Sequence, residues 1–517
     1  MKKMQEMGRI EKDIVKDKEK NRIMFIVPPL SADKNIKFLT HQVPLGFLYM
    51  AGLLEKNGFE VKILDCPLYW KLKRKINENT IKFGLFPEQV EKEIKNFQPD
   101  IVGISCSYSM YESDSFDVVD SLKKMEKEIN KKILVVVGGA HVSSNPKFVL
   151  RNKNIDMVVI GEGELTMLEI AKNFQNNKNI KNIAGTALMN NGKFRINKAR
   201  PYIQNLDELE PAWHLINFKE YFKHPDNYAI SIRSPSVHII TSRGCPGNCV
   251  FCSVNTVWGR KWRAMSAKKV ADQIELLYKK YRIRHFRIND DNFTIDKKRV
   301  VEICREIRKR KLDIKWDTPS GVAAWALDKD ILKEMKKTGY YRVTFGIESG
   351  CKKSLEYIGK NINLEKINGL IDYCHKLGLW IASFFIIGFP YETKEEVNET
   401  VNYIINSKIN FPFISGAQPY AGTRMYEDFK KEGLLINKNG FLEKSNVMVT
   451  KYGSKYLTAE EIREIRRKTY IRFYLKKIAR YSNLFIFYKE FLSKIRTIED
   501  LKYVYKIFKN IFIGFIY

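Results

Sequence analysis

Short, continuously apolar, Val/Ile-rich runs alternate with helical stretches twice along this chain, and that double alternation limits the folds open to it. The runs RIMFIVPP, EVKILD, DIVGISCS, KILVVVGGAH and DMVVIGEGE have helical patterns between them, among them PLGFLYMAGLLEKNG, closed by Gly58, and DVVDSLKKMEKEIN. Strands without polar alternation are covered on both faces, as in a parallel sheet with helices on either side. Residues 22–180 therefore read as a doubly wound α/β domain. Such sheets take ligands at the carboxyl ends of their strands. The candidates there are Pro28, Pro29, Asp65, Ser105, Ser107, Gly138, Gly139, His141, Gly161, Glu162, Gly163 and Glu164, with glycines admitting close backbone approach.

The second alternation starts at Val237: VHIITSRG, HFRINDDN, IKWDTPSG, YRVTFGIES, WIASFFIIGFP and FISGAQPYAGT. Six β/α units over residues 236–435 predict a partial barrel with its active rim at the strand C-termini. Residues 1–21 read as a charged extension, the turn-rich stretch 181–235 as a linker, and 436–517 as a basic, aromatic-rich helical region.

At 517 residues and 44% hydrophobic composition the chain can bury more than one core. Its N-terminus lacks the apolar segment of a secretory signal, and no apolar run approaches the roughly 20 residues that span a bilayer. Eight cysteines without paired spacing do not make a disulfide framework, which points to a reducing cytoplasm. The net charge of +31 carries no helix-turn-helix, zinc-finger or RNA-recognition signature, so nucleic acid is not expected as a partner. Part of that charge is concentrated: residues 455–517 hold 15 Lys/Arg against 6 Asp/Glu, interleaved with 15 Phe/Tyr. A helix pair that packs its aromatics on the barrel is one reading, and a peripheral contact with an anionic membrane at the inner surface is the other.

The chemistry is concentrated in TSRGCPGNCVFCS, where Cys245, Cys249 and Cys252 follow the first barrel strand at spacing C-x3-C-x2-C. Three thiolates hold three irons of a four-iron cluster and leave the fourth open. Structural zinc wants four ligands, and the nearest histidines, His238 and His285, form no ligand pair.

The loop RGCPGNCVFC resembles that of the radical S-adenosylmethionine (SAM) superfamily. The resemblance implies a [4Fe-4S] cluster on Cys245, Cys249 and Cys252, whose open iron is chelated by SAM, reductively cleaved to a 5′-deoxyadenosyl radical. It places Phe251 near adenine, and Asp290, Asp291 and Asn292 of NDDN at the SAM ammonium, although NDDN departs from the usual Gly-Gly-Glu form. It assigns Glu348 and Ser349 to ribose or methionyl groups, and Gly388, Pro390 and Pro419 to the strand ends that flank adenine. The first domain then resembles the cobalamin-binding domain of B12-dependent radical SAM enzymes, with Pro44, Gly46, Ser105, Ser107, Gly138, Gly139, His141, Gly161, Glu162 and Glu164 as cofactor contacts. Classical B12 domains carry Asp-x-His-x-x-Gly; here Asp65 is followed by CPLYW, so cobalt is expected to lack a lower-face histidine.

The resemblance, over roughly residues 22–435, implies a C-methyltransferase that uses the radical and methylcobalamin on an unactivated carbon of a small-molecule or lipid substrate, with a one-electron reductant such as ferredoxin or flavodoxin. Oxidative cyclisation or rearrangement without net methyl transfer is the alternative outcome, and a non-catalytic cobalamin or SAM sensor the alternative class. A methylthiotransferase is disfavoured, since Cys66, Cys106, Cys304, Cys351 and Cys374 form no second triplet.

Overall fold

The structure, a computed structural model, describes residues 21–34, 41–224, 231–360, 362–436 and 451–516, so the charged stretch 1–20 lies outside the described residues. The first half contains β1 (Arg22–Val27), β2 (Leu30–Asp33), β3 (Glu60–Asp65), β4 (Lys73–Asn77), β5 (Thr80–Phe83), β6 (Ile101–Ser105), β7 (Leu134–Gly138), β8 (Met157–Val159), β9 (Thr186–Asn190) and β10 (Lys193–Ile196). Seven of these form one sheet in the order β10-β9-β8-β7-β6-β1-β3, parallel from β8 to β3. The chain order reverses at β1, which pairs with β3 on one side and β6 on the other.

The continuous apolar runs have the expected cause. In β1, Met24 and Ile26 pack into one core with Val118, Val119 and Leu122 of helix Glu112–Ile129. Ile23 and Phe25 face the other way, onto Phe47, Ala51 and Leu54 of helix Leu45–Lys56 and Ile170 of helix Glu164–Gln175. Each strand thus feeds two helical layers, and both of its faces must be apolar.

Two features departed from the sequence reading. The stretch read as a linker, 181–235, begins with the β9–β10 hairpin, whose β9 pairs antiparallel with β8 and extends the sheet. Between β3 and helix Pro87–Phe97, β4 and β5 form a hairpin that pairs with β2 as a separate antiparallel sheet. Its β4, KRKIN, is exposed throughout, so no burial pattern marked it.

The second half holds β11 (Ser236–Ile239), β12 (Ser242–Arg243), β13 (Arg263–Ala264), β14 (His285–Ile288), β15 (Lys315–Asp317), β16 (Tyr340–Glu348), β17 (Trp380–Ile387) and β18 (Phe411–Gly416). Six pair in parallel in chain order, β11-β14-β15-β16-β17-β18, giving the six-unit partial barrel. Phe286, Ile288, Val343 and Phe345 pack outward with Val270, Ile303, Leu332, Ile371 and Val401 of the surrounding helices. The alternate positions His285, Arg287, Asp317 and Arg342 are buried on the inner face. Arg342 Nη1 donates to Tyr503 Oη at 3.3 Å, so helix Ile498–Ile516 sends an aromatic ring against that polar interior. No helix among the described residues is long and apolar enough to cross a membrane.

Candidate active site

The three cysteines lie on the loop after β12, each free and partly exposed at the C-terminal rim of the barrel. The loop is held from several sides. Asp290 Oδ1 accepts from Thr241 N, and its Oδ2 accepts from the hydroxyls of Thr241 and Ser242, all at 2.6 Å. Gly244 N donates to Asp291 Oδ2 at 3.0 Å, Val250 N to Ile358 O at 3.0 Å, and Met425 N to Val250 O at 2.9 Å. The end of β14, helix Lys352–Ile358 and helix Arg424–Lys431 thus fix the loop, although the partners lie 47 to 175 residues away in sequence.

An ideal Cβ on Gly247 would stand 3.4 Å from Cys245 Sγ and 3.9 Å from Cys249 Sγ, so two sulfurs flank that glycine. Burial raises all three thiol pKa values, that of Cys252 to about 11, with Asp291 a lesser cause at Cys245 and the neighbouring cysteines a lesser cause at Cys249 and Cys252. Lys360 opposes the rise at Cys245 and Cys249. Its Nζ donates to Glu348 Oε1 and Gly346 O, each at 2.7 Å. Binding iron replaces the proton on each sulfur, and a neighbouring cation favours the resulting negative charge. No three His, Cys, Asp or Glu side chains among the described residues close on a single ion. A cluster asks less of them, because each thiolate takes its own iron. The donor set fits a four-iron cluster.

The residues expected around SAM are brought to the same rim in different roles. Phe251 packs with Val250, Ile358, Phe389 and Met425 beneath the loop. Asp290 is buried and occupied by Thr241 and Ser242, and Asn292 is buried with its Oδ1 facing Thr294 Oγ1. Asp291 alone of the three is partly exposed, and burial pushes its carboxyl up to about 6. Glu348 has φ +70°, a left-handed backbone that costs a non-glycine residue about 1–2 kcal/mol and concentrates at functional sites. Ser349 Oγ lies 2.7 Å from Thr400 Oγ1 and accepts from Cys351 N, so it shapes the turn. Gly388 has φ +83°, and a Cβ there would stand 2.4 Å from Ile462 Cδ1, so helix Ala459–Tyr481 packs directly on this turn. Pro390 and Pro419 are buried beside it.

Sequence reasoning missed Glu392. Its Oε2 accepts from Gly388 N at 2.6 Å and Phe389 N at 3.2 Å, its Oε1 accepts from Ser354 Oγ at 2.7 Å, and burial raises its carboxyl to about 7. The buried atoms Gln418 Nε2 and Asn255 Oδ1, on the same rim, have no hydrogen-bond partner among the described residues.

In the first domain the strand ends carry small residues. Ser105 and Ser107 hydroxyls lie 3.1 Å apart, and Gly139, at φ +130°, has Cys106 O 2.7 Å from its ideal Cβ position. Gly138 ends β7, Gly161 N donates to Ser143 Oγ at 2.9 Å, and Pro44 and the exposed Gly46 open helix Leu45–Lys56. Space over Gly46 is open, with nothing within 4 Å of its ideal Cβ. This floor of small side chains fits a broad, flat cofactor such as cobalamin.

His141 is buried with Nδ1 2.8 Å from Ser109 Oγ and Nε2 3.0 Å from Glu112 Oε1, so both ring nitrogens are engaged. A histidine does reach Asp65, from an unexpected direction: His41 Nε2 lies 2.8 Å from Asp65 Oδ2, which also accepts from Tyr221 Oη. Glu162 and Glu164 are held by the other domain. Arg243, two residues before Cys245, reaches both, with Nη1 2.9 Å from Glu162 Oε1 and Nη2 2.6 Å from Glu164 Oε1. Arg263 Nη1 reaches Glu162 at 2.8 Å. Helix Ala140–Ser144 also packs against Val254–Val257, just after Cys252, so the strand ends and the cysteine loop share one interface.

Two family models match the chain: the radical SAM superfamily over residues 239–404 and the B12 binding domain over residues 35–171. An uncharacterized methyltransferase of Pyrococcus horikoshii is 35% identical over 459 residues, 88% of this chain and 93% of that protein. The cytidylyl-2-hydroxyethylphosphonate methyltransferase of Streptomyces wedmorensis is 32% identical over 76% of this chain and 78% of its own. Among solved structures, the cobalamin-dependent SAM radical enzyme OxsB with aqua-cobalamin and SAM bound shares the fold at TM-score 0.70 and 18% identity, over 95% of this chain and 71% of that one.

Proposed function

The chain belongs to the cobalamin-dependent radical SAM enzymes, and from that premise we propose that it transfers a methyl group to an unactivated carbon of a small-molecule substrate. When bound, the cluster and SAM supply one-electron cleavage to a deoxyadenosyl radical, and cobalamin supplies the methyl carrier. The observation that carries the proposal is the ion network of Arg243 and Arg263 with Glu162 and Glu164, which sets the cysteine loop against the strand ends of the first domain. Two cofactors acting on one carbon must share one cavity, and this network fixes their two binding elements to each other.

Cys245, Cys249 and Cys252 would hold the cluster, with Lys360 beside them. Glu392 shapes the Gly388–Phe389 turn that would flank adenine, and Asp291 and Glu348 offer carboxylates at the rim. The floor of Ser105, Ser107, Gly138, Gly139 and Gly161 would seat cobalamin. Glu162 and Glu164, paired with arginines, position the domains and make no direct cofactor contact in this reading. A one-electron reductant such as ferredoxin or flavodoxin completes the system, and a lipid is the substrate class that a peripheral membrane site would favour.

The test uses anaerobically reconstituted enzyme, SAM with a trideuterated methyl group, a reductant, and the metabolites and lipids of the source cells. Transfer of the intact label to one compound, with formation of 5′-deoxyadenosine, is expected. Deoxyadenosine formed alongside an unlabelled cyclised or rearranged product would replace methyl transfer with the cyclase outcome, which relatives such as the anaerobic magnesium-protoporphyrin IX monomethyl ester cyclases carry in their names.

A further inference from the structure

The three C-terminal helices present apolar side chains to solvent amid positive charge. Helix Ala459–Tyr481 buries one stripe, Ile462, Thr469, Phe473 and Lys477, against the barrel. Arg466 Nε donates to Ile414 O at 2.8 Å, and Ile414 N donates to Tyr470 Oη at 2.9 Å. The helix thus covers the free edge of β18 with hydrogen-bonding side chains, a normal way to protect an edge strand. With that edge satisfied, the opposite face has no packing role among the described residues. Leu475 and Ile478 on this helix, Leu484 and Phe485 on helix Leu484–Glu490, and Leu501 and Tyr505 on helix Ile498–Ile516 are 56% to 78% exposed. Large apolar exposure repeated on three successive helices marks a partner surface.

The charge says which partner. After Glu464 the chain has three acidic residues, Glu490, Glu499 and Asp500. Glu490 and Asp500 are buried, and Glu499 Oε2 accepts from Arg233 Nε at 2.7 Å. Arg472, Lys489 and Lys502 are exposed beside the apolar side chains. A second copy of this chain would bring the same positive face against itself, in a protein of net charge +31, whereas an anionic lipid surface meets both the charge and the apolar side chains.

We propose that this face docks the enzyme on anionic membranes, with Leu475, Ile478, Leu484 and Phe485 at the headgroup level and the basic side chains on lipid phosphates. The docking helix starts on the active rim, where Ile462 packs against the Gly388 turn, and runs down the barrel edge. Past the contacts of Lys476 with Asn406 and of Phe491 with Trp380, the docking side chains lie toward the N-terminal ends of β17 and β18, so docking holds the enzyme at the bilayer by the end of the barrel opposite the cysteine loop. The docking goes beyond the methyl-transfer reading and does not rest on it.

The experiment is sedimentation of the full chain with vesicles of phosphatidylglycerol and phosphatidylcholine, and of phosphatidylcholine alone, across a salt series. Wild type is compared with Leu484→Ser/Phe485→Ser and with Arg472→Gln/Lys489→Gln/Lys502→Gln, all at exposed positions outside the cluster and cofactor residues. Binding to anionic vesicles at least tenfold tighter than to neutral ones, weakened by salt, and reduced at least tenfold by each variant is expected, with SAM cleavage in the absence of membrane unchanged. No pelleting with anionic vesicles at low salt overturns the proposal, as does pelleting that neither variant alters. A salt-stable dimer in solution that Leu484→Ser/Phe485→Ser dissociates overturns it too, and assigns the face to a second copy. Absence of SAM cleavage in every variant would refute the catalytic reading and leave the docking result to stand on the vesicle data alone.

Discussion

Arg243 Nη2 lies 2.6 Å from Glu164 Oε1, and both side chains are buried, so an ion pair crosses from the residue before the cysteine loop's first glycine to the start of the helix that follows β8 in the other domain. Arg243 also contacts Glu162 and lies over the rings of Tyr49, at 5.5 Å, and Trp258, at 4.8 Å. Burial works against its charge, yet Glu164 and Glu162 together hold its pKa above the usual arginine range.

Arg243→Met should therefore cost about 3–5 kcal/mol, because it leaves Glu162 and Glu164 buried with one arginine between them. Arg243→Lys should recover little, since one ammonium cannot span two carboxylates as a guanidinium fork does. Thermal unfolding of the full chain should show both variants well below wild type. A shift under 1 kcal/mol for Arg243→Met would show that the two domains are held together elsewhere.

Alanine at Cys245, Cys249 or Cys252 should abolish cluster loading and SAM cleavage while changing stability by about 1 kcal/mol or less, since each sulfur sits partly exposed on a loop. Iron and sulfide content, deoxyadenosine formation and thermal unfolding separate the two effects. Lys360→Met tests its neighbour: cluster retention should fall and the reduction potential should shift downward, because a positive charge near the cluster is lost.

Much of this site was legible because its residues follow strands that are themselves easy to see. The cysteines, Asp291, Glu348 and Gly388 all come directly after apolar runs, where a parallel barrel must place its rim. Arg243, Lys360 and Glu392 were not legible, because each acquires its role only through a partner far along the chain or on another domain. His41 illustrates the same limit: Asp65 lacks a nearby histidine in sequence, yet the fold returns one from 24 residues upstream. The β9–β10 hairpin escaped notice because an edge hairpin with one exposed strand lacks the doubly apolar pattern of its neighbours.

Glu392 gives the pH prediction. Its carboxyl titrates at about 7 in the folded protein, raised by burial, against an ordinary value near 4.5. An acid whose folded value is raised binds more protons folded than unfolded across that window, so its contribution is fully present below about pH 4.5 and lost as pH rises through about 7. The loss amounts to about 3 kcal/mol. Glu392→Gln, which keeps an oxygen for Gly388 N and Phe389 N, should flatten that slope in chemical denaturation between pH 5 and pH 8. Parallel slopes for wild type and variant would mean that Glu392 stays ionised throughout.

His141 bears on the cobalt. With Nδ1 on Ser109 and Nε2 on Glu112, it has no ring nitrogen left to coordinate a metal without breaking a buried hydrogen bond. His41, the other histidine near a strand end of the first domain, spends Nε2 on Asp65. Reduced cobalamin bound to the full chain should therefore show no nitrogen hyperfine splitting from a protein imidazole in its electron paramagnetic resonance spectrum. His141→Ala should lower cobalamin affinity, because it releases Ser109 and strands the Glu112 carboxylate in the core, yet leave that spectrum without a new nitrogen signal or the loss of one. A splitting present in wild type and abolished by His141→Ala would make this histidine the ligand, and one abolished by His41→Ala would assign the role to the residue beside Asp65.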